Sequence, residues 1–240
     1  LKIKPFLTES YDYMGSDFAY KNWDLNHKCT GETATRECYQ VGSGAQILPP
    51  VISGKITTRH SFNFKYGRIE VRAKLPTGDW IIPEINLEPR YHEYGKLHYG
   101  SGLIRIAYFR GNEKFLDSFY NGVVYGDTKP MRSLYVSQYV MRNSSWGTDY
   151  HNFTIIWRPG KFSKMLTYKK GSSMAPFDEL FYISLGVRVG GIHDFEDIVV
   201  KPWKDGSAKA MIQFWENRYL WYPTWVSPEL IVDYVKVYAE

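Results

Sequence analysis

The sequence predicts an all-β protein, a sandwich of antiparallel sheets. Three observations carry that expectation. Residues 68–74 alternate strictly, with Ile69, Val71 and Ala73 on one side and Arg68, Glu70, Arg72 and Lys74 on the other, the pattern of a strand buried on one face. Runs of branched and aromatic residues recur at short spacing, divided by Gly, Pro and Asn turn signals. Tyr (20), Phe (13) and Trp (8) are abundant, and these residue types fit a pleated, half-buried surface.

The elements follow in chain order. Residues 5–11 read as a first strand. Gly, Asp, Asn and Lys then interrupt every period as far as Pro50, which marks loop, and the prolines of Ile47-Leu48-Pro49-Pro50 limit ladder pairing. From Val51 the strand signal is strong. The strand over 68–74 ends at Leu75-Pro76-Thr77-Gly78, and the strand within 101–112 ends at Gly111-Asn112. Residues 151–157 form another, and Arg158-Pro159-Gly160-Lys161 turns the chain back into an expected strand over 162–168. Residues 181–187 are almost continuously apolar, as in a strand covered on both faces. Leu230–Tyr238 is the last strand. One helix is expected, capped by Ser207, with Ala208, Met211, Ile212 and Trp215 at i, i+3, i+4 and i+7 as a core-packing stripe. No repeat, low-complexity segment or linker divides the chain, so a single domain over residues 1–240 is expected.

Bulk properties narrow the function. The net charge of +5 is mild and includes no basic run of the kind that binds nucleic acid. No apolar run approaches the ~18 residues needed to span a membrane. The chain opens at Leu1 without Met or a signal peptide, as a mature form or an excised domain does. Cys29 and Cys38 are the only cysteines; they close a small ring in an oxidising compartment and stay free thiols in a reducing one. No paired Cys/His set points to zinc, and no metal or cofactor is assigned. Asn143 and Asn152 open glycosylation sequons.

Residues 101–112, Ser-Gly-Leu-Ile-Arg-Ile-Ala-Tyr-Phe-Arg-Gly-Asn, organise the functional reading. Alternation puts Leu103 and Arg105 on one face, and one extra residue in a bulge brings Tyr108 to the same face. The stretch resembles the active-site strand of glycoside hydrolase family 16, which contains the laminarinases, where the pattern is Ser-Gly-Glu-Ile-Asp-Ile-Met-Glu-x-Arg-Gly-Asn. Similarity extends through Ile47-Leu48-Pro49-Pro50, residues 64–76, Gly78-Asp79-Trp80, Pro176-Phe177-Asp178, Gly190-Gly191, residues 221–225 and residues 232–235. The resemblance implies a β-jelly roll of two curved antiparallel sheets with a concave groove. It also implies a nucleophile, an assisting Asp and an acid/base at the positions held here by Leu103, Arg105 and Tyr108.

Those replacements remove the family's chemistry. A retaining glycosidase needs two carboxyl groups about 5–5.5 Å apart. Leu offers no lone pair. Tyr, with a reference pKa of about 10, is a poor acid and a poor base near neutrality. A guanidinium at 105 repels an oxocarbenium-like transition state. Ile82 and Asn86 stand where active members carry Trp, so a sugar-stacking ring is missing as well. Arg105 is expected either to pair with Glu84 or Glu88 or to protrude into the cleft.

Trp80, Asn86, Arg110, Asn112, His151, Trp221 and Trp225 keep groove positions by resemblance and are the glucan-binding candidates. Core packing accounts equally for Trp80 and rather better for Trp221 and Trp225. His151 reads as a hydrogen-bonded framework residue, and Arg110 as a loop ion pair. A calcium near Glu9 and Asp233, known in some members, is not adopted. The chain is similar to the insect β-1,3-glucan recognition proteins, in which a glucanase-like domain has lost its carboxylates. That similarity implies a secreted, non-catalytic recognition domain of innate immunity, with a Cys29–Cys38 disulfide. Its implied partners are microbial β-1,3-glucan or another cell-wall polymer, and serine proteases of a defence cascade. The competing readings are a hydrolase using Glu84, Glu88 or Asp117, and a protein-binding scaffold with a blocked groove.

Overall fold

The structure, a computed structural model, describes residues 1–11, 14–29, 31, 33–126, 136–160, 175–197 and 200–239. The chain opens with Lys2–Ile3 (β1) and Phe6–Leu7 (β2). The strand expected over 5–11 is cut short, because Thr8 donates its N–H to Pro50 O (2.9 Å) and its hydroxyl to Pro49 O (2.5 Å), and Thr8–Ser10 closes as a 3-10 turn. Asn22–Asp24 (β3) pairs antiparallel with Tyr39–Val41 (β4), and the expected Cys29–Cys38 disulfide closes the loop between them. Val51–Ile52 (β5), Lys55–Thr57 (β6) and Asn63–Phe64 (β7) are short. The main strands are Gly67–Lys74 (β8), Ile81–Pro89 (β9), Leu103–Phe109 (β10), Ser118–Val124 (β11), Val136–Val140 (β12), Tyr150–Trp157 (β13), Phe181–Val189 (β14) and Leu230–Tyr238 (β15). The expected strand over 162–168 lies outside the described residues.

Two antiparallel sheets form a jelly roll. One sheet runs β1-β15-β8-β13; the other runs β12-β11-β10-β9-β14-β6, with β7 also paired to β14. The alternation in β8 does what its sequence dictates: Ile69, Val71 and Ala73 are fully buried, while Arg72 pairs outside with Asp233 and Arg68 lies over the Tyr238 ring (4.2 Å). Along β14, Phe181, Ile183, Leu185 and Val187 enter the inter-sheet core. Tyr182 and Ser184, on its other face, are also buried, which explains the continuous apolar run. Burying each large apolar side chain contributes roughly 1.5–3 kcal/mol. Asp233 is engaged by Arg72, and among the described residues no three His, Cys, Asp or Glu side chains converge as a metal site.

A second apolar cluster covers one end of the larger sheet's outer face. It joins Trp80, Ile82, Phe195, Trp203, Phe214 and Trp221. The expected helix belongs here, displaced and rotated. It spans Ala210–Glu216 (α1) and is followed by Arg218–Trp221 (α2). Ser207 Oγ accepts the Lys209 N–H (3.2 Å) in a preceding turn, so it caps no helix. Ala208 and Met211 are exposed, and Phe214 is the buried anchor, stacked on Trp221 (4.4 Å). Ile212 and Trp215 pack inward as the period predicts; the helix starts two residues later than expected, which leaves Ala208 outside it.

Candidate functional site

The face of the larger sheet away from the core carries a groove of about 1230 Å³. β10 runs along its floor. Its register against both neighbours slips after Arg105, against β9 by Ala107 and against β11 by Tyr108, which is the expected bulge. Leu103, Arg105 and Tyr108 consequently all line the groove, while Ile104, Ile106, Ala107 and Phe109 point into the core. On β9, Glu84, Asn86 and Glu88 face the same space, alternating with buried Ile85 and Leu87. Ile82, on that face too, is sealed under the second cluster.

The residues flanking the three floor positions are structural. Ser101 Oγ donates to Gly95 O (3.0 Å) and accepts from Tyr94 N (3.1 Å), fixing the loop beside the groove. Gly102 has φ +75°, and a Cβ there would stand 2.6 Å from the Phe177 ring. Asn112 is buried; its Oδ1 accepts from Trp80 N (3.0 Å) and its Nδ2 donates to Asp79 Oδ1 (2.8 Å). These residues hold loops together whether or not chemistry occurs between them.

Charge on the floor forms one chain. Lys55 Nζ lies 2.6 Å from Glu88 and 4.0 Å from Glu84. Glu84 also meets Arg188 Nε at 3.3 Å. Arg188 grips Asp194 with two bonds of 2.6 Å, and the Tyr108 hydroxyl donates to Asp194 Oδ1 (3.0 Å). The carboxylates Glu84, Glu88 and Asp194 are therefore all held by cations; exposed Glu196 sits at the rim. Burial works against the charge of Glu88, but the hydrogen bonds from Lys55 and Tyr182 outweigh it and hold this carboxyl below the usual range. A general acid needs the opposite shift. Burial, then the Asp194 charge, pushes the Tyr108 phenol far up, so it stays neutral at physiological pH.

Arg105 pairs with neither Glu84 nor Glu88, the first of its two expected placements, because Lys55 and Arg188 already occupy them. It lies over the Tyr108 ring instead (4.4 Å). Arg110 makes no loop ion pair either: it covers the Phe115 ring (3.6 Å) and donates to Asp194 O (3.5 Å). Of the seven candidates, Asn86 and Arg110 line the groove. Trp80 is buried against Phe195 and Trp203, and Trp221 against Phe214. Trp225 is half-buried on Trp221 and donates its indole N–H to Asp79 O (2.9 Å). His151 stands on β13, in the opposite sheet, against Trp146; its Nε2 is buried without a partner, so it is not the hydrogen-bonded framework residue expected. Asp117 is outside the groove lining, and Asn143 and Asn152 are exposed. Sequence patterns do not single out Tyr99 and Tyr120, the tyrosines that line the groove besides Tyr108 among the described residues. No motif marks them; the alternation of β11 was the available signal for Tyr120.

Comparison with known proteins settles the kinship. The chain is 42% identical over 266 aligned residues to β-1,3-glucan-binding protein 2 of Manduca sexta and 43% identical over 269 to β-1,3-glucan-binding protein 1 of Galleria mellonella, with all of this chain and 54% of each relative covered. It is 38% identical over 277 residues to Gram-negative bacteria-binding protein 1 of Drosophila melanogaster, covering all of this chain and 56% of that protein. The chain is a homologue of the insect glucan-binding and Gram-negative bacteria-binding proteins. It spans about half the length of these homologues. No protein-family model matches it. In structure it is similar to the endo-β-1,3-glucanase of Pyrococcus furiosus (TM-score 0.60, 17% identity, 99% of this chain and 74% of that one). It is also similar to the laminarinase catalytic domain of Thermotoga petrophila (TM-score 0.59, 18% identity, 100% and 77%). At that identity the likeness concerns the fold alone, the laminarinase jelly roll.

Proposed function

We propose that this domain recognises β-1,3-glucan, or a related microbial cell-wall polymer, in the groove without cleaving it. One observation carries the reading: the floor positions on β10 present Leu103, Arg105 and Tyr108, none of which is a carboxylate. The names of the homologues supply the ligand class, and an open groove favours sugar binding over a blocked scaffold. A hydrolase built on Glu84 and Glu88 is disfavoured, since cations hold both and Glu88 is shifted away from an acid's role. The setting that fits is secreted and immune, with the Cys29–Cys38 disulfide belonging to an oxidising compartment and defence-cascade serine proteases as downstream partners. Among the described residues no helix is long and apolar enough to cross a membrane.

Calorimetric titration with laminarihexaose tests the reading. No Trp lines the groove among the described residues, so heat is a better signal than indole fluorescence. Saturable binding that competes with laminarin is expected. A folded domain that gives no heat at millimolar sugar contradicts it.

A further inference from the structure

A neutral sugar polymer explains the shape of the groove but not two guanidiniums in its lining that lack a carboxylate partner. The floor carboxylates already have cationic partners: Glu88 meets Lys55, Glu84 meets Lys55 and Arg188, and Asp194 meets Arg188. Among the described residues, Arg105 and Arg110 are the lining guanidiniums without a carboxylate partner, and Lys96 adds a further cation to the lining. Arg105 has Asn86 and Gly122 as its cross-strand neighbours, and neither brings a negative charge. Its contact within the site is the Tyr108 ring (4.4 Å). Arg110 has the Phe115 ring (3.6 Å) and one long bond to a main-chain carbonyl (3.5 Å). A ring contact holds a guanidinium in place and uses none of its N–H donors. Two positioned forks with donors to spare therefore line one groove, and the guanidinium fork matches a carboxylate or phosphate oxygen pair. The Tyr108 phenol, kept neutral and tied to Asp194, adds no competing negative charge.

We infer that Arg105, with Arg110 beside it, reads an acidic substituent on the bound glycan, so that the preferred ligand is an anionic rather than a neutral polysaccharide. The inference deepens the recognition function proposed above and rests on it for the location of the glycan. Arg105 is the specificity-determining residue. The Tyr108 ring holds its guanidinium over the floor, and ligand oxygens supply the acceptors that the protein does not.

The test compares laminarin with carboxymethyl-laminarin of the same chain length, which differs in its acid groups, and with oligogalacturonate, which carries carboxylates on a different backbone. Wild type is expected to bind carboxymethyl-laminarin roughly tenfold more tightly than laminarin at low salt, a preference that shrinks as salt rises. In Arg105→Gln the preference falls to about one, and in Arg105→Lys, which keeps the charge and loses the fork, it is intermediate. Arg68→Gln is the control. Arg68 also lies over a tyrosine ring (4.2 Å), but on the other sheet, and its loss leaves the preference intact. Equal affinity of wild type for the two laminarins, or a preference that survives Arg105→Gln, overturns the inference and leaves glucan recognition standing. Binding of oligogalacturonate with no binding of either laminarin supports the Arg105 site and overturns the glucan reading instead. Competition by inorganic phosphate as strong as by the acidic glycans reduces the site to a simple anion site and overturns the glycan part of the inference.

Discussion

Glu179 shows how one side chain links burial to pH. Both of its carboxylate oxygens are buried without a hydrogen-bond partner. Burial, then repulsion from Glu93 and Asp178, pushes its pKa up to about 7. The fold therefore prefers the protonated form. Below its unfolded value, about 4.3, the group contributes no penalty; as pH rises from there through about 7 the penalty grows, and above that it is constant. Glu179→Gln is expected to raise the urea midpoint at pH 8, with the gain vanishing near pH 4. A variant no more stable than wild type at pH 8 contradicts this account. At the same scale, Leu103, Arg105 and Tyr108 were legible in the sequence, because their neighbours fix the register. Their partners were not. Of the two expectations for Arg105, pairing with Glu84 or Glu88 fails because those carboxylates are taken by Lys55 on β6 and Arg188 on β14, from distant parts of the chain, and the side chain lines the cleft instead.

Strands with strict or continuous patterns were read closely: β8, β13, β14 and β15 lie within two residues of expectation at each end. The first strand and the helix were misplaced for local reasons, the hydrogen bonds from Thr8 to Pro49 and Pro50 and a turn that takes Ser207 out of the capping position. The turn entering β10 gives Ser101-Gly102 a structural role that does not depend on chemistry between the strands. A methyl at Gly102 meets positive φ and an immovable neighbour, since Phe177 is fully buried. Gly102→Ala is expected to cost about 2–4 kcal/mol, from left-handed backbone strain and overpacking, read as a shift in the urea midpoint. A loss under about 0.5 kcal/mol, within the range of surface substitutions, means the loop relaxes and the frame is not required for the fold.

Over the whole molecule, a jelly roll keeps its two jobs on different faces of one sheet. The core face of β9 and β10 carries Ile85, Leu87, Ile104 and Ile106, which hold the sheets together. The groove face carries Glu84, Asn86, Arg105 and Tyr108, which are free to change without disturbing that packing. The aromatic candidates divide along the same line. Trp80 and Trp221 keep groove positions by resemblance, with core packing the equal or better reading, and the structure puts both in the second cluster. The central claim is that sugar enters this groove and leaves unaltered. Mass spectrometry of laminarihexaose incubated with the domain at saturating concentration tests it most directly. Intact hexaose at every time point is the predicted result; shorter oligosaccharides whose yield scales with protein and disappears in Glu84→Gln or Glu88→Gln would contradict it.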